Sequence, residues 1–288
     1  MSTIGARNEP LAPHTSLRVG GPADFFVRVR DEEDLVGAID VARQAELATF
    51  MIGGGTNLLV ADRGIRGVVL QNGWSEANVD GTTIDAASGT PLAHVAAVAA
   101  RNGIIGLEWM ATVPGTVGGA VHGNAGAFGS EVVDVLVDAR LLDLNGDTWV
   151  ARVDELGFAY RTSALQGTPI VCVRARFRGA PGDRPTAVAR IKEMANERIA
   201  KQPLAQPNTG SIFRNPPGDH AGRLIEAVGL KGARVGGAMV SEKHANFIVN
   251  TGTATAADVR ALMARCQEEV RAKLGVELVP EVELAGEW

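Results

Sequence analysis

Two glycine-rich segments contain the residues whose types and spacing point most directly to chemistry. The first is Gly-Gly-Gly-Thr-Asn at 53–57, and the second runs from 113 to 129 with small aliphatic residues between its glycines. Glycine occurs 35 times in 288 residues, well above its usual share. Successive glycines expose backbone N–H groups that can converge on a phosphate, and Asn57 tolerates a left-handed turn. The segments therefore predict two phosphate-binding loops, with tight packing loops as the alternative.

Neither segment matches the two common phosphate-loop motifs. A Walker loop requires lysine after its last glycine, where the first segment has threonine. The Rossmann fingerprint requires glycines at i, i+2 and i+5, but Leu58 occupies the last position counted from Gly53, and Ala120 the middle position counted from Gly118. The two segments lie about 60 residues apart in the sequence. Two such segments at this separation favour a cofactor with a pyrophosphate and a ring system, bound between two subdomains. The fold of those subdomains would be neither a Walker nor a Rossmann fold.

Composition and charge exclude several classes of partner. The formal net charge is −5, and no run of lysine or arginine offers the basic patch that a nucleic acid or an anionic membrane would need. No apolar stretch reaches the roughly 18 residues of a membrane span, and the N-terminus lacks the apolar centre of a signal peptide. Cys172 and Cys266 are too few for a disulfide framework or a zinc site and are predicted to be buried. We therefore expect a cytoplasmic protein without a metal site.

Hydrophobic periodicity predicts a mixed α+β chain without the repeated strand–helix rhythm of a doubly wound sheet. Composition shifts divide the chain into regions at 1–73, 74–200 and 201–288. The predicted helices span 32–46, 91–102, 186–200, 220–228 and 256–274. The predicted strands span 24–30, 67–70, 82–87, 169–178 and 245–250, with further strand-like alternation over 132–150.

The helix boundaries follow from capping residues and apolar spacing. The first helix has the apolar positions Leu35, Ile39 and Val41, and the second is predicted to stop at Gly103. The last helix begins with a variant of the capping box that includes Asp258. The predicted N-caps of these three helices are Asp31, Thr90 and Thr255.

Seven short motifs occur in a fixed order along the chain. They are GGGTNLLV (53–60), GLEWMATVPGTVGGAVHGNAGAFG (106–129), YRTS (160–163), NTGSIFRNP (208–216), AGRLIEAVGLKG (221–232), SEKHANFIVN (241–250) and LVPEVEL (278–284). Together they resemble the MurB family, the UDP-N-acetylenolpyruvoylglucosamine reductases. One motif alone would be weak, but the resemblance extends over nearly the whole chain, from about 14 to 286.

The resemblance implies a fold and a reaction. The fold is an FAD-binding fold of the vanillyl-alcohol-oxidase-like (PCMH) type, with two α+β subdomains at 1–73 and 74–200 and a C-terminal α+β substrate domain at 201–288, whose last residues can pack back on the FAD domains. The reaction reduces UDP-N-acetylglucosamine enolpyruvate to UDP-N-acetylmuramate in peptidoglycan precursor synthesis. Hydride passes from NADPH through noncovalent FAD to the terminal carbon of the enolpyruvyl group.

Three catalytic residues are carried over from the family's motif positions. Arg161 in YRTS matches the catalytic arginine, whose guanidinium can fork onto a carboxylate. Ser211 in TGSIFRN matches the general acid, and a hydroxyl in that role needs a neighbour or a water that replaces its proton. Glu281 in PEVEL matches the family's glutamate and alternates with Glu283, so both are predicted to face one side of a strand.

The resemblance also assigns binding residues. Those expected to hold FAD are Gly53, Gly54, Gly55, Thr56, Asn57, Pro114, Gly115, Gly118, Gly119, Asn124, Ala125 and Gly126. Those expected to bind the substrate are Tyr160, Lys201, Arg214, Asn215 and His244. A structural role for His244 is nearly as consistent with the sequence as a substrate-binding role. Arg198 lies one helical turn before Lys201, and a solvent-facing side chain is the alternative to a binding role there. The protein is expected to act as a monomer on small molecules.

Two departures from the family pattern leave questions open. His122-Gly123 stands where many members have a bulkier, uncharged pair, and Tyr160 is the chain's one tyrosine, so the chain resembles the shorter subtype without a tyrosine lid loop. One alternative is another FAD oxidoreductase of this fold that acts on a sugar or an alcohol, in which His122 leaves covalent flavin attachment open. A second alternative is a flavin-free module that binds a UDP-sugar.

Overall fold

The computed structural model describes residues 5–144 and 146–288. Residues 1–4 and Asn145 lie outside the described residues. The predicted region 1–73 includes residues 1–4, and the predicted strand-like stretch 132–150 includes Asn145. The α-helices are α1 (Glu32–Gln44), α2 (Leu92–Arg101), α3 (Val117–His122), α4 (Val132–Val135), α5 (Arg184–Lys201), α6 (Ala221–Ala227) and α7 (Ala256–Leu274). Short 3-10 helices cover Ala12–His14, Glu108–Thr112 and Val153–Leu156.

The strands of the described residues are short, and most lie in antiparallel pairs. The strands of the first half are β1 (Ala6–Pro10), β2 (Pro22–Val29), β3 (Thr49–Ile52), β4 (Leu58–Val60), β5 (Ile65–Asn72), β6 (Ala77–Asp80), β7 (Thr83–Ala87), β8 (Ile104–Ile105), β9 (Gly126–Ala127) and β10 (Ser130–Glu131). Those of the second half are β11 (Leu136–Asp143), β12 (Thr148–Arg152), β13 (Ile170–Arg178), β14 (Ala180–Pro181), β15 (Arg234–Val235), β16 (Ala238–Val240), β17 (Ile248–Asn250) and β18 (Glu283–Ala285).

The chain forms two compact units that are discontinuous in sequence. Unit 1 extends to Ala6 and includes Phe26–Gly54 and Gly67–Arg198, and unit 2 comprises Arg7–Phe25, Gly55–Arg66 and Ile199–Trp288. Within unit 1, β3 runs parallel to β5, with Thr49 opposite Val68. The division at 1–73, 74–200 and 201–288 stays a prediction, because residues of its first region occur in both units.

Unit 1 is organised by a five-stranded antiparallel sheet of order β12-β11-β13-β7-β6. Helix α2 buries Leu92, Val95 and Ala99, whose spacing puts them on one face. They share a core cluster with Ile84 and Phe177 of the sheet, which are fully buried. Burial of each large apolar side chain stabilises the fold by about 1.5–3 kcal/mol, so this cluster fixes the helix on the sheet.

Unit 2 has its own core. Its three-stranded antiparallel sheet has the order β15-β16-β17, and α7 buries Val259, Met263 and Val270 in a cluster that also contains Phe213. Strand β18 pairs in parallel with β4, with Glu283 opposite Leu58. The C-terminal strand therefore lies beside the strand that follows the first glycine segment.

The first helix confirms its predicted cap and corrects one predicted core position. Asp31 is the N-cap of α1, and its Oδ1 accepts a hydrogen bond from the Asp34 N–H at 2.7 Å. Val41, however, is 61% exposed, so its predicted place on the apolar face is wrong. Ala42 is buried instead, because it lies seven residues after Leu35 and therefore on the same face.

The caps of the other two helices had different outcomes. Thr255 is the N-cap of α7 and forms reciprocal hydrogen bonds with Asp258, both at 3.0 Å, which confirms the capping box. The prediction that Thr90 caps α2 is wrong, since Pro91 takes the N-cap position. The Thr90 hydroxyl instead donates to the Glu76 carbonyl and accepts from the Glu76 N–H.

Helices replace part of what the sequence predicts as loop and strand. The second glycine segment contains α3, and the strand predicted from 132 begins with α4. A glycine inside a helix costs about 1 kcal/mol relative to alanine, and α3 includes Gly118 and Gly119. Because Val117, Ala120 and Val121 of α3 are buried, tertiary packing outweighs the low helix propensity.

We expect both cysteines to resist alkylation in the folded protein. Burial raises the pKa of the Cys172 thiol and of the Cys266 thiol to about 12, so neither forms a thiolate near neutral pH. Iodoacetamide at pH 8, followed by intact-mass measurement, should add no label to the native chain and two labels in denaturant. Fast labelling of either native thiol would contradict the buried placement.

Candidate active site

Arg161 is held in an unusual conformation in unit 1. Its φ of +58° lies in the left-handed region, which side chains other than glycine rarely adopt. The guanidinium donates from Nη1 to Glu131 Oε1 at 3.0 Å and from Nη2 to the Gly126 carbonyl at 2.9 Å. Its Cζ lies 4.9 Å from the centroid of the Tyr160 ring. The loop therefore presents a cation whose orientation is fixed from several sides.

Asn124, a predicted cofactor residue, is used inside unit 1. Its side chain is 1% exposed, and its Nδ2 donates to Glu131 Oε2 at 2.9 Å and to the Ala159 carbonyl at 3.0 Å. Its Oδ1 accepts from the Val133 N–H at 3.1 Å. A contact between Asn124 and a cofactor would therefore fall to its main chain. Sequence reasoning missed Glu131, although it follows the glycine segment directly.

The two glycine segments meet within unit 1. A Cβ added at Gly53 would collide with Thr116 Oγ1, so a larger residue here would require the Thr116 side chain to move. Gly54, Pro114 and Gly119 are exposed near this junction in sequence. Exposed glycines on two adjoining segments can offer backbone N–H groups to a phosphate, so Gly54 and Gly119 fit the predicted anion site.

Backbone groups at other predicted cofactor positions are engaged within unit 1. The Gly115 carbonyl accepts from the Leu92 N–H at 3.1 Å, and the Gly118 N–H donates to the Ser88 carbonyl at 2.8 Å. The Ala125 N–H donates to the Ala120 carbonyl at 2.9 Å. These groups stabilise the shape of the segment, and the cofactor roles of these residues stay predictions.

The end of the first glycine segment lies in unit 2 and contacts the segment of Glu281. Gly55 has a φ of +59°, and Thr56 is half-buried beside it. Asn57 Nδ2 donates to the Glu281 carbonyl at 3.0 Å, and the Asn57 carbonyl accepts from the Glu283 N–H at 3.0 Å. Asn57 therefore fixes the main chain on both sides of the buried Val282.

Ser211 and Glu281 lie on neighbouring segments of unit 2. Ser211 is half-buried, whereas Ile212 and Phe213 after it are each 1% exposed. The Ile212 carbonyl accepts from the Glu281 N–H at 2.8 Å, and Phe213 forms an antiparallel bridge with Pro280. The fold of unit 2 thus places two of the three predicted catalytic residues on main-chain segments that are hydrogen-bonded to each other.

Asn246 holds the Ser211 segment and was missed as a site residue. It is 3% exposed, and its Oδ1 accepts from the Phe213 N–H at 3.0 Å while its Nδ2 donates to the Phe213 carbonyl at 2.8 Å. The Asn246 carbonyl also accepts from the Ile212 N–H at 2.9 Å. The available signal was an asparagine inside the apolar run ANFIVN, because a buried amide must bond to something.

Three predicted substrate residues lie around the Ser211 segment and at the end of α5 in unit 2. Arg214 Nε is buried and has no hydrogen-bond partner among the described residues. Asn215 Oδ1 accepts from the Ala221 N–H at 3.0 Å at the start of α6, so its oxygen has a structural use. Lys201 is exposed at the last residue of α5. A buried donor without a partner points to a ligand, which favours Arg214 among the three.

His244 has a satisfied structural environment. Its Nδ1 accepts from the Asn246 N–H at 3.2 Å, and its ring meets Phe247 edge-on with centroids 4.8 Å apart. Burial, assisted by the charge of Lys231, lowers the pKa of His244, so the neutral imidazole is favoured. The histidine therefore supports the turn that leads to Asn246, and its substrate role stays a prediction.

The described part of the chain lacks two further features. None of its helices combines the length and hydrophobicity that crossing a membrane requires. Its His, Cys, Asp and Glu side chains form no group of three or more that could hold a metal ion.

Comparison with family models defines the class of protein first. Residues 23–152 match the FAD binding domain, and residues 202–285 match the C-terminal domain of UDP-N-acetylenolpyruvoylglucosamine reductase. The chain is therefore an α+β FAD-binding protein with a distinct C-terminal domain, which confirms the predicted fold class and cofactor.

Individual relatives place the chain more narrowly. UDP-N-acetylenolpyruvoylglucosamine reductase 2 of Symbiobacterium thermophilum is 45% identical over 97% of this chain and 92% of that protein. The reductase of the same name from Moorella thermoacetica is 46% identical over 97% of this chain and 93% of that protein. The crystal structure of MurB from Thermus caldophilus superposes with a TM-score of 0.83 at 35% identity, over 96% of this chain and 97% of that one. The chain belongs to the UDP-N-acetylenolpyruvoylglucosamine reductase (MurB) family, as its motifs predicted.

We expect Asn246→Ala to lower the free energy of unfolding by about 2–4 kcal/mol, because it leaves the buried N–H and carbonyl of Phe213 without partners. Urea unfolding followed by circular dichroism measures the change. Asn78→Ala is the control, since the Asn78 amide bonds to Glu76 on the exposed surface, and it should cost less than about 0.5 kcal/mol. Equal losses in the two variants would contradict the assigned role of Asn246.

Proposed function

We propose that this protein reduces the enolpyruvyl ether of UDP-N-acetylglucosamine enolpyruvate to the lactyl ether of UDP-N-acetylmuramate, in peptidoglycan precursor synthesis. The observation that carries the proposal is near full-length similarity to reductases of this substrate class, at 45% identity over 97% of the chain. NADPH is the hydride donor. FAD, when bound without a covalent link, supplies hydride transfer between NADPH and the terminal carbon of the enolpyruvyl group.

The residues that would hold FAD include the exposed Gly54, Pro114 and Gly119, where the glycine segments adjoin. The close approach of Gly53 to the Thr116 side chain supports this assignment, since it brings the two segments together. Both segments lie inside the residues that match an FAD binding domain.

Arg161 binds the carboxylate of the enolpyruvyl group. Its guanidinium is permanently charged and forks onto a carboxylate, so it stabilises the negative charge that develops beside that group as the double bond is reduced. The fixed orientation of the guanidinium, bonded to Glu131 and Gly126, supports this role because the donors are aligned before the charge appears.

Ser211 gives the one proton that the reaction needs, in addition to the hydride, to the carbon that bears the carboxylate. Its hydroxyl must regain a proton from a neighbour or a water, since a serine hydroxyl is a weak acid. Glu281 supports the donor or the enol, a role consistent with the hydrogen bond between its N–H and the carbonyl of Ile212. Because the chain resembles the shorter subtype without a tyrosine lid loop, other elements must close the site over the bound substrate.

The remaining proposals concern partners and location. We infer that the protein acts as a monomer in the cytoplasm and has no nucleic-acid or membrane partner. The net charge of −5 supports the part of this inference that concerns nucleic-acid and anionic-membrane partners. Sedimentation velocity at several protein concentrations tests the monomer, and a concentration-dependent increase in the sedimentation coefficient would contradict it.

We expect Ser211→Ala to separate the two half-reactions. Reduction of the bound flavin by NADPH should stay near the wild-type rate, whereas reoxidation by the enolpyruvyl sugar should slow by roughly 10²–10⁴-fold because the proton donor is lost. Stopped-flow absorbance of the flavin measures both rates, and Ser75→Ala, which removes an exposed hydroxyl, is the control. Equal loss in both half-reactions would mean that Ser211 is structural.

Cofactor chemistry separates the proposal from its two alternatives. Acid precipitation of the purified protein should release all of the flavin into the supernatant. Flavin retained in the precipitate would favour an oxidase-like relative that attaches the cofactor through a residue such as His122. A preparation that stays colourless after addition of FAD would favour a flavin-free UDP-sugar binding module.

A further inference from the structure

Glu131 lies between two donors of unit 1 and bonds to both of them. Its Oε1 accepts from Arg161 Nη1 at 3.0 Å, and its Oε2 accepts from Asn124 Nδ2 at 2.9 Å. Glu131 is opposite Gly126 in the pairing of β10 with β9, and the Gly126 carbonyl accepts from Arg161 Nη2 at 2.9 Å. The Arg161 guanidinium is therefore bonded to both strands of one small hairpin.

The same network fixes the loop that carries Arg161. Asn124 Nδ2 also donates to the carbonyl of Ala159, two residues before Arg161, at 3.0 Å. Asn124 and Arg161 both have left-handed backbones, with φ of +43° and +58°. Residues persist in this region only where their surroundings over-determine the conformation. Glu131 joins the two, because each of its oxygens bonds to one of them.

We propose that Glu131 is a positioning residue for Arg161. This inference rests on the proposed function, in which Arg161 binds the substrate carboxylate. Glu131 acts through Arg161: it sets the plane of the guanidinium before the substrate arrives. A guanidinium donates in a fixed fork, so the direction of its N–H groups decides how well it meets a carboxylate.

The charges distinguish positioning from simple attraction. Arg161 and Glu131 are 21% and 29% exposed and together carry no net charge, so Glu131 weakens the attraction of the pair for an anionic substrate. A group that only attracted the substrate would bind it better without Glu131. A group that must be aligned for the reaction would lose rate without Glu131, even though binding stays as tight or becomes tighter.

Glu131→Gln is the informative variant because it keeps the size of the side chain. Glutamine has one acceptor oxygen, so it can satisfy Arg161 or Asn124 but presents an amide N–H to the other. We expect the limiting rate of flavin reoxidation by the enolpyruvyl sugar to fall by roughly 10–100-fold, as small misplacements of a catalytic group do. Flavin reduction by NADPH should stay near the wild-type rate. The affinity for UDP-N-acetylmuramate, measured by calorimetry, should be unchanged or higher.

Two further variants serve as controls. Glu131→Asp keeps both oxygens and the charge, so it should recover part of the lost rate, and it also serves if the glutamine variant does not fold. Glu32→Gln breaks a comparable ion pair of unit 1, in which Glu32 Oε1 and Arg140 Nη2 lie 2.6 Å apart. The Glu32 and Arg140 side chains are 32% and 39% exposed. It should change neither half-reaction.

The wild-type enzyme and Arg161→Ala, measured in parallel, separate failure of this inference from failure of the proposed function. Absence of reoxidation of the wild-type flavin by the enolpyruvyl sugar would overturn the proposed function. Normal reoxidation in Arg161→Ala would leave that function standing and overturn the positioning role, because Glu131 would have no catalytic group to position. Slow reoxidation in Arg161→Ala with a wild-type rate in the Glu131 variants would overturn the positioning role alone. Loss of both half-reactions in Glu131→Gln, with a lower urea midpoint, would make Glu131 a structural residue and also overturn it.

Discussion

A buried side-chain amide needs a partner for each of its polar atoms, because an unpaired polar group in the interior costs about 1–3 kcal/mol. Asn124 in unit 1 and Asn246 in unit 2 meet this requirement with bonds that include main-chain groups 35 and 33 residues away in sequence, respectively. Asn124 bonds to the loop that bears Arg161, and Asn246 bonds to the segment that bears Ser211. In each unit, the position of a predicted catalytic residue thus depends on one asparagine. Any other placement of that segment would leave buried polar groups without partners.

This dependence explains how a left-handed backbone persists at Arg161. A non-glycine residue in that region costs of order 1–3 kcal/mol, which an exposed surface loop would recover by relaxing. Here the guanidinium is bonded to Glu131 and Gly126, and the main chain just before it is bonded to Asn124. Relaxation of φ would break several bonds at once. The strain therefore persists because of the network, and the network gives the cation one orientation.

Local signals in the sequence predicted a helix boundary well where a single capping residue determines it. Asp31 and Thr255 cap their helices because the side chain bonds to a backbone N–H three residues on. Thr90 has the same side-chain chemistry, yet its hydroxyl bonds to the main chain of Glu76, just before β6. Helix α3 was missed for a related reason, since buried contacts override the low helix propensity of glycine. Asn246 and Glu131 were missed because each bonds to a partner 30 or more residues away in sequence, Phe213 and Arg161 respectively.

Asn57 shows why a position in the glycine segment matters beyond the cofactor. Its amide donates to the carbonyl of Glu281 and its own carbonyl accepts from the N–H of Glu283, so it bridges the residues on either side of Val282. Strand β4, which begins immediately after Asn57, then pairs with β18 from Glu283 onward. The C-terminal segment is therefore registered against the chain that follows the glycine turn. A shift of that turn would move Glu281 relative to the Ser211 segment, because the Glu281 N–H is bonded to the carbonyl of Ile212. Within unit 2, the geometry of the glycine turn therefore also fixes Glu281 relative to the segment that bears the predicted proton donor, Ser211.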